Sequence, residues 1–157
     1  MSRLIRLVAA ALVILLVIGV TGLLWLDFRS KRSPSQALFR QGTIPQPPPD
    51  GDYKGSVAGY HGGWIGKTFD AQRAAGRNLF TVPAGVEQRY PFKTVVGTGL
   101  ADPISVMKID YDIAGNPQWL RSILDEIVQV GPNHYLGRIH VRLGPMHLSV
   151  GYFELRK

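Results

Sequence analysis

Residues 135–155 read YLGRIHVRLGPMHLSVGYFEL, two runs of alternating apolar and polar residues on either side of Gly144-Pro145. Alternation with a period of two is typical of β-strands, and a Gly-Pro step between two such runs indicates a turn. We therefore predict an antiparallel hairpin with strands at 135–143 and 146–155.

The turn also predicts the register of this hairpin. The expected partners are Leu143 with Met146, Arg142 with His147, Val141 with Leu148, His140 with Ser149, and Ile139 with Val150. One face would then be apolar, and the other would collect Arg138, His140, Arg142, His147 and Ser149. This separation predicts an antiparallel sheet with one apolar face and one solvated face.

The rest of residues 52–157 has a similar composition, with frequent glycines between short alternating runs. Further strands are predicted at 52–60, 63–69, 91–96, 104–113 and 126–130. Residues 72–80 are compatible with a short helix or a loop. A short helix is predicted at 117–124, with Asn116 as its cap and Pro117 in its first turn. The pattern predicts a mainly β domain with one short helix, either a sandwich or a small antiparallel β-barrel.

Residues 7–26 contain no charged side chain, and twenty such residues are enough to cross the ~30 Å core of a bilayer as a helix. Arg3 and Arg6 precede the run, and Trp25 lies at its end. We expect residues 1–28 to form a single-pass signal-anchor in a bacterial-type inner membrane, with the domain in the periplasm. The alternative is a signal peptide that is removed, although the run exceeds a typical cleavable segment and no small-x-small site follows it.

Residues 29–51 are rich in Ser, Gln and Pro and include three successive prolines, Pro47 to Pro49. Such a run favours an extended polyproline II conformation. We therefore predict a Pro-rich linker that acts as a stalk between the anchor and the 52–157 domain. A docking motif for another protein is the alternative.

The net charge of +7 is concentrated near the apolar run. Residues 1–40 hold six Lys and Arg against one Asp, whereas residues 41–157 hold twelve Lys and Arg against ten Asp and Glu. This distribution fits anionic lipid headgroups and disfavours nucleic acid as a partner, since the folded part carries little excess charge. The chain has no cysteine, which excludes disulfides and thiolate chemistry.

The segment Gly62-Gly63-Trp64-Ile65-Gly66, followed by Lys67 and Phe69, matches a Gly-x-Trp-x-Gly pattern. Together with residues 50–55, this segment resembles the N-terminal sequence of small lipocalin-like (calycin-type) barrels, and in particular that of the proteins named for a GXWXG motif. The resemblance implies a barrel with Trp64 at the floor of a cavity that takes apolar ligands. A tryptophan packed in the core is the plain alternative, and both descriptions can hold together.

Arg138, His140 and Arg142 are the other candidate ligand-binding residues, because a guanidinium group matches a carboxylate or a phosphate. They would form such a clamp if their face lined the barrel interior. The alternative is a solvated outer face on which Asp110 or Asp112 pairs with the arginines. A metal site at His134, His140 and His147 is disfavoured by the neighbouring arginines, and we expect no metal and no cofactor.

The sequence contains no P-loop and no Gly-x-Ser-x-Gly elbow, which disfavours an enzyme. We expect a membrane-anchored, lipocalin-like domain that binds an apolar or acyl-type ligand, such as a lipid or fatty acid, at the cell envelope. The alternative is a non-catalytic structural or assembly subunit that docks onto a larger membrane-protein complex.

Overall fold

Eight antiparallel strands close into a barrel in the computed structural model, which describes residues 3–157. Residues 1 and 2 of the predicted anchor lie outside the described residues. The strands follow one another around the barrel in sequence order, and the last pairs with the first. They are β1 (Gly51–Ser56), β2 (Trp64–Asp70), β3 (Ala75–Val82), β4 (Gly85–Thr98), β5 (Ser105–Asp110), β6 (Ile123–Gly131), β7 (His134–Leu143) and β8 (Met146–Arg156).

Three helices accompany the barrel: α1 (Arg3–Lys31), α2 (Pro34–Gln41) and α3 (Gln118–Arg121). The helix α1 is long and apolar enough to cross a bilayer, with a mean hydropathy of 2.9 over its most apolar window. The mainly β prediction, with a long apolar N-terminal helix before the strands, is therefore confirmed.

The two ends of the barrel differ. We call the end formed by the connections 57–63, 83–84, 111–122 and 144–145 the mouth, and the end formed by 71–74, 99–104 and 132–133 the base. Below the mouth the interior is packed with aromatic rings, among them Tyr53, Phe69, Phe92 and Tyr135. Neighbouring rings meet edge to face, as Phe69 and Phe92 do with centroids 5.3 Å apart.

The predicted β7–β8 hairpin forms, and its first four residue pairs have the expected partners. The fifth pair was wrong, because Ile139 lies opposite Gly151 and Val150 is an extra residue in a β-bulge. The bulge shifts the alternation by one residue. As a result Leu148 and Phe153 both pack inside the barrel although their numbers differ in parity.

The linker prediction was wrong for residues 29–51, because this segment folds against the barrel instead of extending as a stalk. Ser33 caps α2 by accepting a hydrogen bond from the Ser35 backbone N–H at 3.2 Å, and Pro34 occupies the first turn. Phe39 on α2 is fully buried against Val106, Val128 and Leu136 on the outer barrel wall. Burial of a side chain of this size contributes about 2 kcal/mol.

Two smaller expectations were also wrong. Residues 72–80 contain most of strand β3, paired with β2 and β4, rather than a short helix or a loop. The side chain of Asn116 does not cap α3; its amide donates to the carbonyls of Pro91 and Tyr111 at 2.8 and 2.9 Å. Asn116 therefore ties the 111–122 connection to the barrel wall.

Candidate functional site

A cavity of about 440 Å³ opens at the mouth of the barrel. This volume falls in the range of about 300–1,000 Å³ typical of small-molecule sites. Most of its lining is apolar or aromatic, and two charged side chains reach it. The lining residues are Val57, Tyr60, Trp64, Lys67, Phe80, Tyr90, Trp119, Asp125, Ile139 and Phe153.

Trp64 forms part of the cavity wall, and glycines on both sides of it make this position possible. Its ring lies against Gly55 of β1, where a Cβ atom would come within 2.2 Å of the indole. Gly66 has φ +147° at a β-bulge, and a Cβ there would lie 2.0 Å from the Tyr53 carbonyl oxygen. These contacts give the Gly-x-Trp-x-Gly pattern a physical reason, since a side chain at Gly66 would break the β1–β2 pairing.

At the inner end of the cavity lies a group of polar side chains that we call the lumen cluster: Lys67, Asn78, Tyr111 and Asp125. The Lys67 ammonium, only 3 % exposed, donates to Asn78 Oδ1 at 2.9 Å, to Asp125 Oδ2 at 3.1 Å and to the Tyr111 hydroxyl. The Tyr111 hydroxyl donates in turn to Asp125 Oδ2 at 3.2 Å. All three ammonium hydrogens are thus matched by acceptors, and the cation and the carboxylate balance in charge.

The cavity wall is joined to the lumen cluster by the Trp64 indole N–H, which donates to Asn78 Oδ1 at 3.0 Å. Aromatic rings also surround the ammonium, because the Lys67 Nζ atom lies 5.0–5.6 Å from the ring centroids of Trp64, Phe92, Tyr111 and Phe153. Cation–π attraction of this kind offsets part of the loss of hydration.

Burial shapes the protonation of the lumen cluster. Desolvation lowers the pKa of Lys67, and the charge of Asp125 and its hydrogen bond to the lysine oppose that shift. Desolvation together with the nearby charge of Asp125 raises the pKa of Tyr111 well above its usual value. Tyr111 therefore stays protonated near neutral pH and remains a hydrogen-bond donor to Asp125.

The helix α3 partly covers the mouth. Leu120 is buried in the barrel core, whereas Trp119 is 64 % exposed at the rim of the cavity. The Trp119 ring meets Tyr90 edge to face with centroids 6.1 Å apart. Leu120 therefore anchors α3 on the barrel core, and Trp119 lies at the rim of the cavity.

The predicted arginine clamp does not line the cavity. Arg138 and His140 lie on the outer wall, where they form what we call the outer cluster with Asp102 and Glu126. Arg138 bonds Asp102 Oδ2 at 2.5 Å and Glu126 Oε2 at 2.8 Å, and His140 Nε2 lies 3.0 Å from Glu126 Oε2. The prediction of a solvated face was also wrong here, because Arg138 is only 1 % exposed and α2 covers it.

The helix α2 closes the outer cluster from outside. The Gln36 amide donates to Asp102 Oδ2 at 2.9 Å, and the Arg138 guanidinium lies over the Phe39 ring at 4.3 Å. Burial acts to raise the pKa of Glu126, but hydrogen bonds from His140 and Arg138 outweigh it and lower the pKa to about 2. The outer cluster is thus a set of matched charges that attaches α2 to the barrel.

Arg142 and the histidines have separate surroundings. Arg142 pairs with Asp110 at 2.8 Å on the partly exposed outer wall, which is the alternative considered for that residue. His134 lies 3.0 Å from Glu154, and His147 is exposed beside the β7–β8 turn. Within the described part of the chain, no group of three or more His, Cys, Asp or Glu side chains is placed to hold a metal ion.

Sequence reasoning missed the lumen cluster, although a signal for it was present. Lys67 lies two residues before Phe69 on β2 and therefore shares its face of the strand. Asp125 likewise shares the face of Ile123 and Ile127 on β6. A charged residue in phase with core residues of a strand indicates a polar group inside the barrel. Two such residues of opposite sign on different strands suggest a pair.

A solved structure described as the crystal structure of a protein from Thermomonospora curvata is similar to this chain. The match has a TM-score of 0.55 and 19 % identity, and it covers 78 % of this chain and 84 % of that one. At this identity the likeness concerns the fold, which is consistent with a calycin-like barrel. No protein-family model and no curated protein matches the chain.

Proposed function

We propose that this protein is a membrane-anchored barrel that binds an apolar, acyl-type ligand in its mouth cavity at the cell envelope. The observation that carries the proposal is the cavity of about 440 Å³, mostly apolar, with the lumen cluster at its inner end. Apolar walls that enclose a few placed polar groups are the usual form of a small-molecule site. The resemblance of the Trp64 segment to lipocalin-like barrels supports the same ligand class.

The charge of the lumen cluster limits the class of ligand that the cavity can bind. Since Lys67 is already balanced by Asp125 3.1 Å away, a second carboxylate at this position would be repelled by Asp125. An uncharged polar group, such as an ester or a hydroxyl, meets no such repulsion. We therefore expect a neutral acyl lipid rather than a free fatty acid, with no role for Arg138 or Arg142 in holding it.

Native mass spectrometry of the full chain extracted in detergent tests this function. We expect a lipid to remain bound to the wild-type protein and to be lost from Ile139→Phe, which adds bulk to the cavity wall beside Asp125 without substituting a member of the lumen cluster. Val95→Phe, on the exposed outer wall, is the matched control and should retain the lipid. Lipid held only around α1 would survive both substitutions.

Two results would overturn the proposal: a wild-type protein without bound lipid, or equal lipid retention by Ile139→Phe and Val95→Phe. A polypeptide retained in stoichiometric amount, without lipid, would favour the structural or assembly subunit instead.

A further inference from the structure

The helix α1 ends beside the mouth of the barrel. The C-terminal part of α1 contacts β8 close to where this strand leaves the mouth. The Ser149 backbone N–H donates to Asp27 Oδ1 at 2.8 Å, and the Ser149 and Ser30 hydroxyls lie 2.6 Å apart. Leu26 lines the same surface groove as Val57, which belongs to a mouth connection and also lines the cavity.

From this junction the chain runs along the outer wall toward the base. Gln36 meets the guanidinium of Arg138 at 3.2 Å, further from the mouth than Ser149. Thr43 then pairs with Gln129 near the base end of β6. Since higher residue numbers lie nearer the base, the part of α1 that precedes Leu23 extends past the mouth.

No spacer separates the apolar run from the barrel. The uncharged residues end at Leu26, and Asp27 is already buried against the barrel wall. If residues 7–26 fill the hydrocarbon core, the mouth of the barrel lies at the headgroup level of the same bilayer.

Exposed apolar side chains are concentrated at this end of the barrel. Among the described residues outside α1, eight large apolar side chains are exposed, and five of them lie around the mouth. We call these five the mouth ring: Tyr60, Val86, Trp119, Leu143 and Met146. Among the described residues, the base connections 71–74, 99–104 and 132–133 carry no exposed large apolar side chain.

The end of α1 has the composition of a membrane interface at the same level. Trp25 and Phe28 are exposed, and the guanidinium groups of Arg29 and Arg32 lie over their rings at 5.3 and 3.5 Å from the centroids. Aromatic rings that carry nearby cations are favoured where hydrocarbon meets anionic headgroups.

We propose that the barrel rests with its mouth ring in the interface of the bilayer that holds α1, so that the cavity opens directly toward lipid. Because α1 tethers the barrel, the effective concentration of membrane at the mouth ring is high, and modest contacts suffice to keep it there. A lipid chain would then pass between bilayer and cavity without crossing water. This last step rests on the proposed function, whereas the orientation of the barrel does not.

The absence of cysteine from the chain allows a direct test with single spin labels. Labels are placed at Val86→Cys and Met146→Cys in the mouth ring, with Gln72→Cys at the base as the matched control. The full chain is reconstituted in vesicles of phosphatidylcholine and phosphatidylglycerol in equal parts. The accessibility of each label to dissolved oxygen and to a water-soluble nickel chelate is then measured.

We expect the ratio of oxygen to nickel accessibility to be several-fold higher at both mouth-ring labels than at residue 72. Equal ratios at all three labels would overturn the proposed orientation. The measurement needs no bound ligand, so the two proposals can fail separately. If the mouth-ring labels lie in the interface but the protein carries no bound lipid, only the proposed ligand is rejected. If the protein carries lipid but the labels are exposed to water, only the proposed orientation is rejected.

Discussion

The two charged clusters lie on opposite sides of one strand, and the comparison between them separates a site from a structural contact. Asp125 and Glu126 are neighbours on β6, and the strand directs Asp125 into the lumen cluster and Glu126 into the outer cluster. Both clusters are buried and both contain ion pairs. Only the lumen cluster adjoins a cavity, whereas α2 closes the outer cluster.

Buried charge alone therefore does not identify a binding site. A buried ion pair costs desolvation free energy wherever it lies, and it is retained either because it holds elements together or because it meets a ligand. The outer cluster connects α2, the 99–104 connection and β7, which accounts for its residues without any ligand. The lumen cluster reaches the mouth cavity through Lys67 and Asp125, which makes it the candidate site.

The largest expected effect is on the outer cluster. Arg138→Met would leave Asp102 and Glu126 buried without their shared cation, and we expect a loss of about 4 kcal/mol in the free energy of unfolding. Denaturant unfolding of the full chain in detergent measures it. A loss below 1 kcal/mol, about that of a surface pair, would mean that α2 is not held by this cluster.

A somewhat smaller effect is expected at the lumen cluster. Lys67→Met would leave Asp125 without its cation but with the Tyr111 hydroxyl as donor, and we expect a loss of about 3 kcal/mol. The double variant Lys67→Met with Asp125→Leu should recover most of that loss, because no buried charge remains. If the lumen cluster contacts the ligand, the double variant should bind lipids whose polar groups differ from those of the lipids bound by the wild type. Mass spectrometry of the bound lipid measures this difference.

Acid should weaken the outer cluster once the pH falls below about 4.5. The folded pKa of Glu126, about 2, lies below its ordinary value of 4.5, so its contribution to stability is present above pH 4.5 and is lost as the pH falls toward 2. The difference corresponds to roughly 3 kcal/mol at most. Unfolding midpoints measured across this pH range should fall for the wild type and fall less for Glu126→Gln.

The smallest effect is expected at Arg142, the one member of the predicted clamp that stays partly exposed. Arg142→Ala removes a pair with Asp110 near the surface, and exposed pairs of this kind contribute about 0.2–1 kcal/mol. Lipid retention should be unchanged. A loss of lipid in this variant, with the fold intact, would mean that Arg142 helps to hold the ligand, as the clamp hypothesis predicted.

The site was harder to predict than the fold because its members are far apart in sequence. Lys67, Asn78, Tyr111 and Asp125 come from β2, β3, the 111–122 connection and β6, and no local spacing along the chain links them. The triplet Arg138, His140 and Arg142 stood out because it is local. Local spacing reports which side chains share a face of a strand, and it does not report whether that face meets a cavity, a helix or water.

Elements with periodic or continuous signals along the chain follow from local sequence alone. The apolar run of residues 7–26, the β7–β8 hairpin and the mainly β composition all follow from local spacing, because a helix and a strand each repeat with a fixed period. What covers the outer wall depends instead on long-range contacts, since α2 is held by Phe39 and Gln36 against residues about 65 to 115 positions away. Closure of the barrel likewise decided which isolated polar residues meet, because contact between distant strands depends on register and curvature that no short segment contains.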